Sequence, residues 1–161
     1  MAITQTDLEH LRRCVELAQV ALDSGDEPFG SLLVSGSGDV LFEDRNRVQD
    51  GDATRHPEIA IAHWAVANLS SDQRAESTVY TSGEHCPMCA AGHGWVGLGR
   101  IVYAGSNAQL RSWLAEWGAA PPPVAPLPIT DVLPGAAVDG PVAEWTDELR
   151  ALHRAHFDQK G

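Results

Sequence analysis

Leu8, Leu11, Val15, Ala18 and Leu22 recur at the three- and four-residue spacing of one helix face. Thr6 and Glu9 have the T-x-x-E spacing of a capping box within that run, and Gly25 follows as its stop. The pattern then changes period. The stretch FGSLLVSGSGDVLFED holds two apolar runs around a Gly/Ser turn, which predicts a β-hairpin. DGDATRHPE is a polar loop that enters a helix at Pro57, since proline is favoured in a first turn, and EIAIAHWAVANL carries it to about Leu69. STVYTS and RIVYAGS read as short buried strands. A helix starts at Pro87 between them, and Ser106 with Gln109 makes a second capping box after them. Residues 119–128, AAPPPVAPLP, are too rich in proline for a helix and predict an extended connector. ITDVL is expected as a last short strand. Gly140-Pro141 is then expected to open a helix that aligns Val142, Trp145, Leu149, Leu152 and His156. The order α-β-β-α-β-α-β-α, with a late strand and helix and no internal repeat, predicts an α/β chain with one sheet covered on both faces.

The length of 161 residues, 43% of them hydrophobic, suits one core better than two, so residues 1–161 are expected to form a single domain. No apolar run approaches the roughly eighteen residues of a membrane span, so no membrane partner is expected. MAITQTDLEHLRR lacks the basic-then-apolar order of a secretory signal. Three cysteines, an odd count, fit a reducing cytoplasm better than a disulfide framework, and Cys14 falls on the apolar side of the first helix. The formal net charge is −11, with 22 Asp plus Glu against 11 Lys plus Arg and a single lysine, Lys160. Such a chain repels polyanions in general, so no nucleic-acid partner is expected. A small neutral substrate would feel little of this field.

Chemistry concentrates in SGEHCPMCAAGHGW, residues 82–95. Cys86 and Cys89 form a C-x-x-C pair, which alone fits either a zinc site or a redox dithiol. His56-Pro57-Glu58 opens one helix, and Cys86-Pro87-Met88-Cys89 opens another after the next strand. Successive strand-to-helix junctions in such a sheet can face each other, so one His and two Cys can converge. Helix N-termini favour thiolate over thiol. Three protein ligands leave zinc a fourth position for water, which the ion acidifies towards neutral pH. Glu58 is then placed to shuttle a proton. A closed structural site would need His93 or His85 as fourth ligand, and it leaves Glu58 and Asn46 without a role. A redox dithiol needs no H-x-E. Trp64 and Trp95 read most simply as core aromatics, and Glu43, Asp44, Asp50 and Asp52 as a solvated rim.

H-x-E followed by C-x-x-C resembles the signature of the zinc-dependent cytidine and nucleobase deaminases. HPE and HCPMC match it except that His85 stands where proline usually precedes the first cysteine. EPFGSLLV, NRV at Asn46, TVYTSGEHCPMC and GRIVYAG extend the resemblance over roughly residues 26–106. It is nearest to the branch of guanine, fungal-type cytosine and tRNA adenosine deaminases. The resemblance implies a three-layer α/β/α fold with a mixed five-stranded sheet, and a homodimer. It implies zinc on His56, Cys86 and Cys89, with Glu58 as proton shuttle and not a ligand. Asn46 resembles the asparagine that fixes the substrate ring, Phe29 the aromatic beside the pocket, and Trp95 the one following the cysteine helix. Pro57 departs from the family, where this position commonly offers a backbone N–H to a substrate carbonyl; proline has none. The expected activity is hydrolytic removal of the exocyclic amine from a free nucleobase or related aminoheterocycle, of guanine, cytosine or aminotriazine type. The alternatives are tRNA adenosine deamination and a non-catalytic zinc-stabilised binding module. Substrate choice is expected to rest on Asn46, Pro57 and the segment around Trp113 and Trp117.

Overall fold

Gly30–Val34 (β1), Val40–Arg45 (β2), Thr78–Gly83 (β3), Arg100–Gly105 (β4) and Val138–Asp139 (β5) form one sheet in the order β2-β1-β3-β4-β5. These assignments come from a computed structural model that describes residues 1–161. β1 runs antiparallel to β2 and β3, while β3-β4 and β4-β5 are parallel, so the sheet is mixed. Side chains alternate across it with the period of two that strands impose. Leu32, Val34, Tyr80, Val102 and Ala104 point into one core, and Leu33, Val79, Ile101 and Tyr103 point to the other side.

The first core is covered by Gln5–Asp23 (α1), Asn107–Glu116 (α5) and Thr146–Lys160 (α7), which supply Leu11, Val15, Trp113, Leu149 and Leu152. Pro57–Asn68 (α2) and Pro87–Val96 (α4) pack on the opposite face through Ile61, Ala65 and Ala90. The expected three-layer α/β/α sandwich is therefore present. Cys14 is fully buried in the first core and behaves as a small hydrophobe.

Four local expectations change. The capping box of α1 is Thr4 with Asp7, two residues before the Thr6/Glu9 pair. Asp7 wins because its carboxylate also accepts from the Tyr80 hydroxyl at 2.6 Å and from Arg100 at 2.9 Å, bonds that Glu9 on the exposed side cannot make. ITDVL is not a strand. Ile129–Val132 forms a single helical turn (α6), because Glu84 Oε1 accepts the Ile129 N–H at 2.9 Å and starts the turn. The fifth strand comes later, where Val138 and Asp139 pair with Ile101 and Val102. The C-terminal helix starts at Thr146, after a 3-10 turn at Ala143–Trp145, and it buries His153, leaving His156 half-buried. One short helix, Ser71–Glu76 (α3), has no counterpart in the sequence reading, although Ser70 and Gln73 cap it.

Candidate metal centre and active site

β3 and the loops around it bring the starts of α2 and α4 to one point. His56 and Cys86 are the N-cap residues of these helices, each in extended backbone and each followed by a proline at the first helical position. Proline suits that position because its missing N–H would have no helical partner there. Cys89 lies one turn into α4. His56 Nδ1 is 3.5 Å from Cys86 Sγ and 3.6 Å from Cys89 Sγ, and the three ligand atoms lie within 4.8 Å of one another. Tetrahedral zinc, with bonds of about 2.3 Å to sulfur and 2.0–2.1 Å to nitrogen, would separate neighbouring S and N ligand atoms by about 3.6 Å. The donor set and its spacing fit zinc.

The electrostatics agree. Cys86 is drawn down to about 4 by a hydrogen bond from the Cys89 sulfur and by His56. Cys89 is pushed up because its S–H donates to the Cys86 sulfur and because it is buried, both of which favour the protonated thiol. His56 rises to about 9, chiefly through the Cys86 sulfur beside its ring. This corner therefore attracts positive charge. His85 and His93 do not join it. His85 is buried edge-on to His93, ring centroids 5.3 Å apart, and His93 Nε2 meets the Gly99 carbonyl at 2.8 Å.

Glu58, two residues into α2, is only 6% exposed, and burial raises its carboxyl above the usual range. Its two oxygens differ. Oε1 lies 3.1 Å from the Ser31 hydroxyl on β1 and 2.8 Å from the Thr81 hydroxyl on β3, while Oε2 has no protein partner. Ser31 and Thr81 sit opposite each other in the β1-β3 ladder, which explains how two residues fifty apart hold one oxygen.

A cavity of about 610 Å³ opens over His56, Glu58 and Cys86. Phe29 lines it, as expected, and Gly83 makes this possible: a Cβ there would lie 2.7 Å from the Phe29 ring. The ring is backed by His153 of α7, centroids 5.0 Å apart. The other expected substrate residues are placed differently. Asn46 is fully buried and does not line the cavity, with Oδ1 accepting the Val48 N–H and Nδ2 donating to Glu27 Oε2 at 3.3 Å. Glu27 is the residue that reaches the cavity wall. Pro57 is buried in the first turn of α2 and is not on the wall. Trp95 is 90% exposed on α4 and lies outside the cavity.

Sequence reasoning missed Glu27, Asn107, Leu110 and Arg111, and the proline connector as the far wall. The segment near Trp113 was singled out, but Trp113 itself points into the core. The Ser106 capping box was the available signal: it fixes the register of α5 and so turns positions 107, 110, 111, 114 and 115 to one side. Glu84, also on the wall, accepts the first N–H groups of α5 and α6, at 2.8 Å from Asn107 and 2.9 Å from Ile129.

The sequence profile of the cytidine and deoxycytidylate deaminase zinc-binding region matches residues 4–105. The chain is 33% identical to a probable cytosine deaminase of Schizosaccharomyces pombe, over 97% of this chain and 95% of that protein. It is 32% identical to the guanine deaminase of Bacillus subtilis over 60% of this chain and 63% of that one. Among solved structures, the guanine deaminase of Nitrosomonas europaea superposes with a TM-score of 0.69 at 20% identity, covering 97% of this chain and 86% of that one. With the profile spanning well over half its length and the His/Cys/Cys corner in place, the chain belongs to the cytidine and deoxycytidylate deaminase family of zinc-binding proteins.

Proposed function

We propose that the protein is a zinc-dependent hydrolase that removes the exocyclic amine from a free nucleobase or related aminoheterocycle and releases ammonia. The observation that carries this reading is the half-satisfied Glu58 carboxylate, buried beside three convergent zinc ligands at the floor of a cavity. Zinc on His56, Cys86 and Cys89 would supply an acidified water as the nucleophile. Glu58 accepts a proton at Oε2 and delivers it to the departing amine, so that water and the amine-bearing ring carbon yield a ring carbonyl and ammonia. Ser31 and Thr81 hold Oε1, which leaves Oε2 for the proton in a residue that lines the cavity. Phe29 offers an aromatic wall for a planar ring, and the Glu27 carboxylate, steadied by Asn46, offers an acceptor for a ring N–H. Restricting the substrate to small molecules rests on charge, because a net charge of −11 opposes approach of a polyanion such as tRNA.

The test is ammonia release from a panel of cytosine, guanine, adenine, their nucleosides and aminotriazines, using zinc-loaded wild type and Glu58→Gln. Turnover of at least one ring is expected in wild type. Loss of a proton shuttle typically costs a factor of about 10² to 10⁴, so Glu58→Gln should retain zinc while losing nearly all turnover. No ammonia from any ring, or equal rates in the two proteins, would refute the proposal.

A further inference from the structure

Arg111 is the exception among the arginines. Each of the others is tied to a carboxylate or a backbone carbonyl: Arg45 to Asp26 at 2.7 Å, Arg100 to Asp7 and Asp139, Arg74 to the carbonyls of Leu69 and Val96. Even the exposed ones are paired, as in Arg13 with Glu43 and Arg150 with Glu116. Arg111 forms no ion pair and no hydrogen bond, although acidic groups outnumber basic ones two to one. The nearest acid along its own helix, Glu116, is taken by Arg150 at 2.6 Å. Arg111 is exposed, yet it lines the cavity, on the same face of α5 as Asn107, Leu110 and Leu114.

The cavity lining carries the acids Glu27, Glu58 and Glu84 and the Cys86 thiol, and Arg111 is the one arginine or lysine on it. Glu84 accepts one backbone N–H on each oxygen, from Asn107 and Ile129, and makes no bond to Arg111. A volume of about 610 Å³ falls within the roughly 300–1,000 Å³ of sites that hold drug-sized ligands, so there is room beyond a bare ring. An amine-bearing ring at the floor and a negative group at Arg111 would match both ends. A guanidinium presents forked donors that suit carboxylate and phosphate oxygens alike.

We propose that Arg111 anchors an anionic substituent, a carboxylate or a phosphate monoester, on the side of the aminoheterocycle away from the reacting amine. This rests on the deaminase reading for the identity of the ring and on the cavity alone for the anion. The proline connector, through Ala119, Pro121, Pro122 and Pro126, lines the same cavity as Arg111.

The experiment compares matched neutral and anionic compounds: cytosine with carboxycytosine, pterin with pterin carboxylate, and cytidine and guanosine with their 5′-monophosphates. Ammonia release is measured for wild type, Arg111→Gln and Arg111→Lys. Binding of the same compounds is measured calorimetrically on Glu58→Gln, with and without Arg111→Gln. In at least one pair the anionic member should be favoured, by roughly two- to fivefold for an exposed ion pair. That ratio should collapse towards one in Arg111→Gln, recover in part in Arg111→Lys, and shrink with added salt. The first pairs report a carboxylate and the last two a phosphate, so the source of the charge is read directly. A neutral member favoured in every pair, or a ratio unchanged in Arg111→Gln, overturns the inference. Absence of ammonia from every compound would sink the deaminase reading instead, and the binding ratios would still decide for or against the anion.

Discussion

Glu58 has two carboxylate oxygens in unlike surroundings, and the proton-shuttle role proposed for it depends on that difference. With Oε1 held by Ser31 and Thr81, rotation of the carboxylate would break two hydrogen bonds. We expect the double variant Ser31→Ala/Thr81→Val to lower kcat by roughly tenfold or more while leaving KM near its starting value, since two hydrogen bonds to a carboxylate, of about 1.5–3 kcal/mol each, no longer orient the proposed shuttle. Thr81→Ser, which keeps the hydroxyl, should restore the rate when paired with wild-type Ser31. A change confined to KM would show that the pair shapes the pocket and not the carboxylate. Pro57 makes a different kind of statement, because it removes an N–H between two residues of the site. Pro57 itself lies off the cavity wall, but its neighbours His56 and Glu58 line it. If a ring carbonyl reaches the backbone between them, Pro57→Ala tightens binding of rings such as cytosine or guanine by about two- to tenfold, the worth of one neutral hydrogen bond. Zinc content and melting temperature must be followed in parallel, because the same change loosens a favourable first turn. No gain with any such ring, at full zinc content, would mean that this N–H does not set specificity. The zinc ligands and Glu58 were legible in the sequence because their spacing is local to two helix starts. Glu27 was not, since its place on the wall and its bond from Asn46, nineteen residues on, are tertiary facts that no local spacing announces.

At the scale of elements, helix starts were read better than strand ends. Pro57, Pro87 and the Ser106/Gln109 box each act within one turn, so α2, α4 and α5 begin where the sequence places them. α6 and β5 were not legible, because each is decided at long range: one by Glu84 and the other by pairing with β4. The start of α1 belongs with them. Asp7 caps α1 and also binds Tyr80 on β3 and Arg100 on β4, and it is 3% exposed. Burial alone would raise its pKa, but the bonds from Arg100, Tyr80 and Thr4 outweigh burial and hold it at about 2, against an ordinary 3.8. A carboxylate with a depressed folded pKa adds stability that is complete above its unfolded value and is lost as pH falls through the folded one. Asp7 should therefore contribute about 2 kcal/mol near neutral pH, disappearing between about pH 4 and pH 2. Urea unfolding of wild type and Asp7→Asn across that range checks it. The gap between the two proteins should narrow as pH falls; a constant gap would mean that the ionised form is not what matters.

For the whole molecule, the sequence announced the layers and the chemistry of the floor, and left the cavity walls unread. Those walls come from α5 and from a connector whose prolines exclude a helix but do not say where it lies. No helix is long and apolar enough to cross a membrane. Trp95, expected near the substrate, stands 90% exposed on α4, and Val66 is 54% exposed on the adjoining α2. We expect a homodimer that covers this face, in which Trp95→Glu shifts sedimentation towards monomer at micromolar concentration. A wild-type protein that sediments only as monomer would contradict it. The central claim is that one zinc ion on His56, Cys86 and Cys89 enables Glu58 to drive deamination. Its most direct test is to strip the protein with chelator and titrate zinc back while following ammonia release from the best substrate. Release should be absent in the stripped protein, rise in proportion to added zinc, and level off at one ion per chain. Turnover that survives stripping, or that fails to return at full occupancy, would contradict the account.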